Sequence, residues 1–233
     1  MDFSYNDLLT LVLLIGLELV LGIDNVLLIS IVTGRLPESQ RPLARRIALG
    51  LAFILRVGFV LGAAALVQMT TPVLGRFSLK DLILIAGGGF LIFKAVREIH
   101  HTVEHKDEAG AHDAPKVMAS FTGAVTQLVL LDIVFSIDSV ITAVGLTDHV
   151  WVIICAVLVS FIIVLAFAPA VSNFVESNPA MKILALAFLV TIGVTLFIEG
   201  LGHEVPKGYI YLPMGFALAV ELLQMRFHSK RKK

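Results

Sequence analysis

Apolar runs of helix-spanning length, about 20 residues each, recur from one end of this chain to the other and are separated mostly by short polar connections. Their limits predict spans over 7–32, 43–69, 79–96, 119–146, 150–172, 180–201 and 208–225, about seven crossings in all. The connections carry helix breakers: Pro37 and Pro42, Pro72 and Gly75, Pro179, then Pro206 and Gly208. One polar stretch is longer, between the third and fourth spans, and holds His100, His101, His105 and His112 among acidic and basic residues. The first run has no basic leader or small-residue cleavage site and carries Glu18 and Asp24, so it is expected to persist as the first helix.

A repeat is visible inside this pattern. Residues 18–26 read E-L-V-L-G-I-D-N-V and residues 132–140 read D-I-V-F-S-I-D-S-V, so acid, aliphatic, Ile, Asp, polar and Val return in register 114 residues later. With three helices per unit, an odd number, the two copies must cross in opposite directions, as in the inverted repeats of many transporters. The expected fold is an all-α integral membrane protein: a three-plus-three inverted repeat with one C-terminal helix added. Its parts are residues 1–97 (first repeat), 98–118 (polar cytoplasmic loop), 119–202 (second repeat) and 203–233 (seventh helix and basic tail), together a single transmembrane domain.

Composition agrees. The chain is 58% hydrophobic and 15% charged, against roughly 25% charged for a soluble domain, which leaves no room for a separate soluble domain. The formal net charge is zero, but the placement of the charges is informative. With the N-terminus outside, fourteen Lys and Arg fall on inward-facing segments and three, Arg76, Lys80 and Lys207, on outward-facing ones. That asymmetry predicts an outside N-terminus and a cytoplasmic C-terminus. The tail Lys230 to Lys233 adds attraction to anionic lipid. The single cysteine, Cys155, excludes an intrachain disulfide and reads as a packing residue.

The candidate chemistry lies in acids placed where acids are expensive. Glu18, Asp24, Asp132 and Asp138 fall inside apolar spans, and a carboxylate at a helix centre costs about 2.5–3.5 kcal/mol on insertion scales. They must be protonated, paired or facing a wet cavity, and each alternative implies a site. Pairing with Arg56, Lys94 or one another merely to fix helix packing is the plainer reading, but the duplication of the motif argues for use. In a straight helix, acids six residues apart point about 120° apart and sit about 9 Å apart along the axis. Glu18 shares a face with Gly22 and Asn25, and Asp132 with Ser136 and Ser139. Local unwinding near Gly22-Ile23 and Ser136-Ile137 is expected to turn Asp24 and Asp138 onto those faces and to free backbone carbonyls. The result would be one midplane pocket of carboxylate, amide, hydroxyl and carbonyl oxygens. Oxygen donors without His or Cys suit a hard dication such as manganese, magnesium or calcium. The surplus negative charge suits proton coupling.

Other features call for less. Arg56 is expected to pair with a carboxylate, Glu199 and Glu221 lie near span ends, and Gly87 to Gly89 suit close helix packing. The histidine-bearing loop reads as a solvated linker; His101 and His105, at i and i+4, are its only metal-like spacing. No P-loop pattern is present, so an ion or proton gradient is the expected source of energy.

The stretches E-L-V-L-G-I-D-N-V, L-D-I-V-F-S-I-D-S-V-I-T-A-V-G-L and V-P-K-G-Y-I-Y resemble the TerC family of bacterial membrane proteins, within the broader superfamily of LysE-type exporters. The resemblance runs over nearly the whole chain. It implies an exporter of manganese or a related dication in the bacterial inner membrane, some relatives being named for tellurite resistance. By position, Glu18, Asp24, Asn25, Asp132, Asp138 and Ser139 fill the family's intramembrane motif. The expected partners are the transported dication and membrane lipid, with no nucleic acid, no tightly bound cofactor and no enzymatic step. Two alternatives stand beside transport. One is an intramembrane hydrolase with paired aspartates, although the motif is G-I-D-N and not G-x-G-D. The other is a membrane partner that binds or delivers metal without moving it.

Overall fold

The computed structural model describes residues 5–104, 120–147 and 149–231. Hydrocarbon offers no water to backbone N–H and C=O groups, so apolar runs of this length close their hydrogen bonds within helices. Among the described residues these are α1 (Tyr5–Thr33), α2 (Arg41–Leu61), a short α3 (Ala63–Gln68), α4 (Leu79–Glu104), α5 (Phe121–Leu146), α6 (Val150–Ser177), α7 (Pro179–Gly200) and α8 (Gly208–Arg231). Each expected span therefore holds a helix, and the second is divided at Gly62 into α2 and α3. Pro42 and Pro179 sit in the first turns of α2 and α7, where a missing N–H forfeits no helical hydrogen bond.

Among the described residues, five stretches are long and apolar enough to cross a bilayer: Asp7–Thr33, Phe121–Leu146, Val150–Ser177, Pro179–Gly200 and Gly208–Phe227. Helices α2 and α4 fall short in composition because α2 carries Arg45, Arg46 and Arg56, and α4 carries Lys80, Asp81, Lys94, Arg97 and Glu98. Length and apolarity thus establish an all-α membrane protein. The count becomes seven when α2 and α4 cross despite their charges. Large apolar side chains face outward, among them Ile54, Phe93, Ile162, Phe167, Leu212 and Phe216, each more than half exposed, as a lipid-facing surface requires.

The connection between α3 and α4 is more ordered than breakers alone predict. Pro72–Leu74 (β1) pairs antiparallel with Phe77–Ser78 (β2) around Gly75, whose φ of 61° is open to glycine at no steric penalty. Ser78 and Asp81 then start α4 reciprocally. The Ser78 N–H donates to Asp81 Oδ2 at 2.8 Å, and the Asp81 N–H donates to Ser78 Oγ at 3.1 Å.

The helices pack in three extensive pairs: α4 on α7, α1 on α6 and α2 on α5. Exchanging α1 with α5, α2 with α6 and α4 with α7 maps this set onto itself. Small residues set the seams. A Cβ on Gly88 would lie 2.6 Å from the Gly193 carbonyl oxygen and 2.7 Å from the Phe197 nitrogen, and one on Gly200 would lie 2.7 Å from the Asp81 carbonyl oxygen. Gly87 meets Val134 of α5, and Gly22 meets Val164 of α6. Gly87 and Gly88 thus pack helices, as their sequence suggests. Between α1 and α6 the Ser30 and Ser172 hydroxyls are hydrogen bonded.

Ion pairs gather at the end where α1, α4 and α6 finish and α2 and α7 begin. Arg35 and Lys182 both pair with Glu98, Lys182 at 3.2 Å, while Arg41, at 3.2 Å, and Arg45 pair with Glu176. Arg35, Arg41, Arg45 and Lys182, all expected on one side, therefore lie at one end of the bundle. Of the polar loop, residues 98–104 continue α4, where His100 pairs with Glu104 at 2.8 Å. The rest, including His105 and His112, lies outside the described residues, as do Lys232 and Lys233.

Candidate functional site: two carboxylate clusters

Both acidic motifs lie on unbroken helices. α1 runs through Gly22-Ile23 and α5 through Ser136-Ile137, so the expected unwinding does not occur. The physical reason lies in the partners: each acid meets a group from another helix without leaving helical geometry. Acids six apart on a regular helix then serve different faces, and the four sort into two clusters, each joining matching positions of the two motifs.

The first cluster surrounds Arg56 of α2. Its Nη1 donates to Glu18 Oε2 at 2.6 Å, its Nε donates to Ser136 Oγ at 3.4 Å, and its Nη2 lies 3.8 Å from Asp132 Oδ1. Asp132 also accepts from Asn25 Nδ2 at 3.3 Å and from Ser136 Oγ at 3.2 Å. Glu18 is 2% exposed and Asp132 5%. A cavity of about 40 Å³ adjoins them, with Gly22, Asn25, Ile29 and Ser160 in its wall. This is the face that the i, i+4, i+7 spacing from Glu18 predicts. The space accepts a water-sized guest.

The second cluster joins the other two acids around a cavity of about 20 Å³ that Thr195, Lys207 and Tyr211 also line. Tyr211 of α8 donates its hydroxyl to Asp24 Oδ2 at 3.2 Å. Lys207 donates to Asp138 Oδ2 at 3.1 Å and to Glu199 Oε1 at 2.9 Å, while Lys80 lies 3.3 Å from Asp138 Oδ1. Asp24 is 4% exposed and Asp138 7%, and Asp24 has no basic residue within ion-pair distance among the described residues. Glu199, a weak candidate from sequence, therefore belongs to this cluster through Lys207.

Lys207 precedes α8, outside the apolar span. Burial works to lower its pKa, but the Asp138 and Glu199 carboxylates outweigh that and hold it above the ordinary value of 10.5. A group raised on folding stabilises the fold fully below its unfolded pKa and loses that contribution as pH rises through the folded one. Thermal melts of wild type and Lys207→Met should therefore differ by a constant amount from pH 7 to about 10 and converge at higher pH. A gap that widened on alkalinisation would refute this pairing.

The remaining expected ligand, Ser139, is 1% exposed and does not line the cavity beside Asp132. It donates to the Ser136 carbonyl at 3.3 Å and lines a cavity with Asp138, Thr142, Lys207 and Tyr211. Glu221 lines neither carboxylate cavity. Among the described residues, no three of His, Cys, Asp and Glu converge as a ready-made metal site. Five of the six expected ligands are thus shared between the two carboxylate cavities, Ser139 lines a third, and they are not gathered in one. Sequence reasoning left out Tyr211 and placed Lys80 and Lys207 only as outward-facing charges. The signal available was V-P-K-G-Y-I-Y, which puts Lys207 and Tyr211 four apart, one helical turn, at the start of α8.

The UPF0053 inner membrane protein YgdQ of Escherichia coli strain K12 is 43% identical over 229 residues, covering 97% of this chain and 95% of its own. A UPF0053 protein of Haemophilus influenzae is 42% identical over 228 residues, covering 96% and 95%. The longer UPF0053 inner membrane protein YoaE of Escherichia coli is 42% identical over 222 residues, which is 94% of this chain and 42% of that protein. No solved structure matches the chain. The profile described as "Integral membrane protein TerC family" matches residues 3–233, and the chain belongs to that family.

Proposed function

We propose that this protein is a secondary exporter of a divalent cation, most simply Mn²⁺, working through the intramembrane carboxylates. The observation that carries the reading is charge. Glu18 and Asp132 face Arg56, and Asp24, Asp138 and Glu199 face Lys80 and Lys207, so each cluster of ionised acids keeps one surplus negative charge, two in all, matching the charge of one dication. Asp24 has the least compensation and sits with Asp138 on one cavity, which makes this pair the point of capture. Glu18, Asn25, Asp132 and Ser139 supply further oxygen ligands along the path. All are hard donors suited to Mn²⁺, Mg²⁺ or Ca²⁺. Protons that replace the departing metal on these carboxylates provide the coupling.

The membrane arrangement belongs to the same reading. Residues 1–97 and 119–202 are two inverted three-helix units, 98–118 link them and 203–233 add a seventh crossing. The exchange of helix pairs described above supports this, as does the meeting of matching motif positions. The protein sits in the bacterial inner membrane, as the names of YgdQ and YoaE say of those relatives. Its N-terminus is outside, and the Arg35, Arg41, Arg45 and Lys182 end faces the cytoplasm.

The test is net Mn²⁺ efflux from cells and from liposomes, with Asp24→Asn and Asp138→Asn expressed at matched levels. Each variant should lower efflux by more than about tenfold, because even changes outside the ligand shell weaken metal sites by 10–100-fold. An imposed proton gradient should alter the wild-type rate. Wild-type export that both variants retained would refute the carboxylate path, and metal binding without flux in liposomes would favour a metal-delivery partner.

A further inference from the structure

Arg56 is held in an unusual way for a residue inside an apolar helix bundle. Its guanidinium lies between Glu18 of one motif and Asp132 of the other, yet Nη2 is buried without a hydrogen-bond partner and reaches Asp132 only at 3.8 Å. A permanent structural bridge in hydrocarbon would be expected to satisfy both sides, since an unpaired buried donor is costly. Beside the group lies the 40 Å³ cavity walled by Glu18, Asn25, Asp132 and Ser160. The guanidinium is thus strongly bonded on one side, loosely on the other, and has open space next to it.

Resting on the exporter reading, we propose that Arg56 is a built-in counter-ion: its guanidinium and the transported dication take turns on Glu18 and Asp132. With the guanidinium in place the two carboxylates keep one net negative charge between them, too little to hold a dication. When it withdraws toward the cavity they become a cation site, and its return expels the metal. Two consequences follow. The empty carrier reorients with one buried negative charge at this cluster where it would otherwise carry two, and the metal is displaced because the tethered cation competes at a fixed, high local concentration. Arg56 touches the acids and not the metal, so its role is that of a positioning residue.

The test uses the full-length protein in nanodiscs and Mn²⁺ itself as the probe, with equilibrium binding read beside exchange flux in liposomes. If the site is free of guanidinium in roughly 1–10% of molecules, removing the competitor should tighten Mn²⁺ binding by about ten- to a hundredfold. Arg56→Gln should show that gain and should exchange Mn²⁺ for Mn²⁺ while losing net export. In Arg56→Gln combined with Glu18→Gln the gain should vanish. A purely structural arginine would give weaker binding, not tighter. Arg56→Lys covers the case in which the glutamine variant does not fold: a shorter, single-point cation competes less well, so its affinity should fall between wild type and Arg56→Gln. Unchanged or weaker binding in the folded Arg56 variants overturns the proposal while leaving the exporter reading intact. A wild-type protein that neither binds nor moves Mn²⁺ overturns both.

Discussion

Gly88→Val should leave almost no folded protein in the membrane. A Cβ at this position lies 2.6 Å from the Gly193 carbonyl oxygen and 2.7 Å from the Phe197 nitrogen, both backbone atoms of α7 that cannot rotate away. Ordinary overpacking costs about 1–3 kcal/mol because side chains yield. Here the α4–α7 seam itself must open, so the loss belongs with the exceptional changes above about 4 kcal/mol. That seam also sets Lys80 of α4 and Glu199 of α7 around the second carboxylate cluster, so packing and site fail together. Gly50→Ala is the control: nothing lies within 4 Å of its Cβ position, and alanine in a helix interior should gain about 0.5–1 kcal/mol. Size-exclusion profiles and thermal melts in detergent decide the matter. A monodisperse Gly88→Val protein melting within a few degrees of wild type would mean that the helices are not this close.

The second large effect concerns the charge pair in the first cluster. Glu18→Leu leaves the Arg56 guanidinium buried with Asp132 only at 3.8 Å. Removing one partner of a buried pair costs about 3–5 kcal/mol, because the other charge is left uncompensated. Adding Arg56→Leu should return part of that stability, since the Glu18–Arg56 pair is then replaced by apolar groups while Asp132 keeps only its hydrogen bonds from Asn25 and Ser136. The double-mutant cycle should therefore give a large coupling energy at the upper end of the 0.5–3 kcal/mol range for contacting residues. Transport should stay lost in the double variant, because its Glu18 carboxylate is gone. Additive stabilities would show that Arg56 and Glu18 do not depend on each other and would remove the basis for the counter-ion role as well.

Much of this architecture is legible in the chain because a bilayer makes the one-dimensional pattern decisive. Apolar runs of spanning length must be helical, so each of the expected spans holds a helix, with Pro42 and Pro179 marking two of the starts. The helical period also placed Glu18, Gly22 and Asn25 on one face, and that face lines a single cavity. Arg56 had to find a carboxylate in such surroundings, and it did.

What the chain alone could not decide is which faces of different helices meet. The period along α1 says that Glu18 and Asp24 point about 120° apart, but not that a partner waits on each side. Assuming a shared ion, sequence reasoning bent the helix to gather the acids; the fold instead keeps α1 and α5 straight and brings a separate cluster to each face. That outcome depends on contacts between residues far apart in the chain, such as Tyr211 on Asp24, 187 positions away, and Lys207 on Asp138, 69 away. Those contacts exist because glycines let α4 lie against α7 and α1 against α6, and because the short connection after α7 starts α8 beside the second cavity. Local periodicity sets the direction of a side chain around its own helix, and only the packing of backbones determines what it meets there.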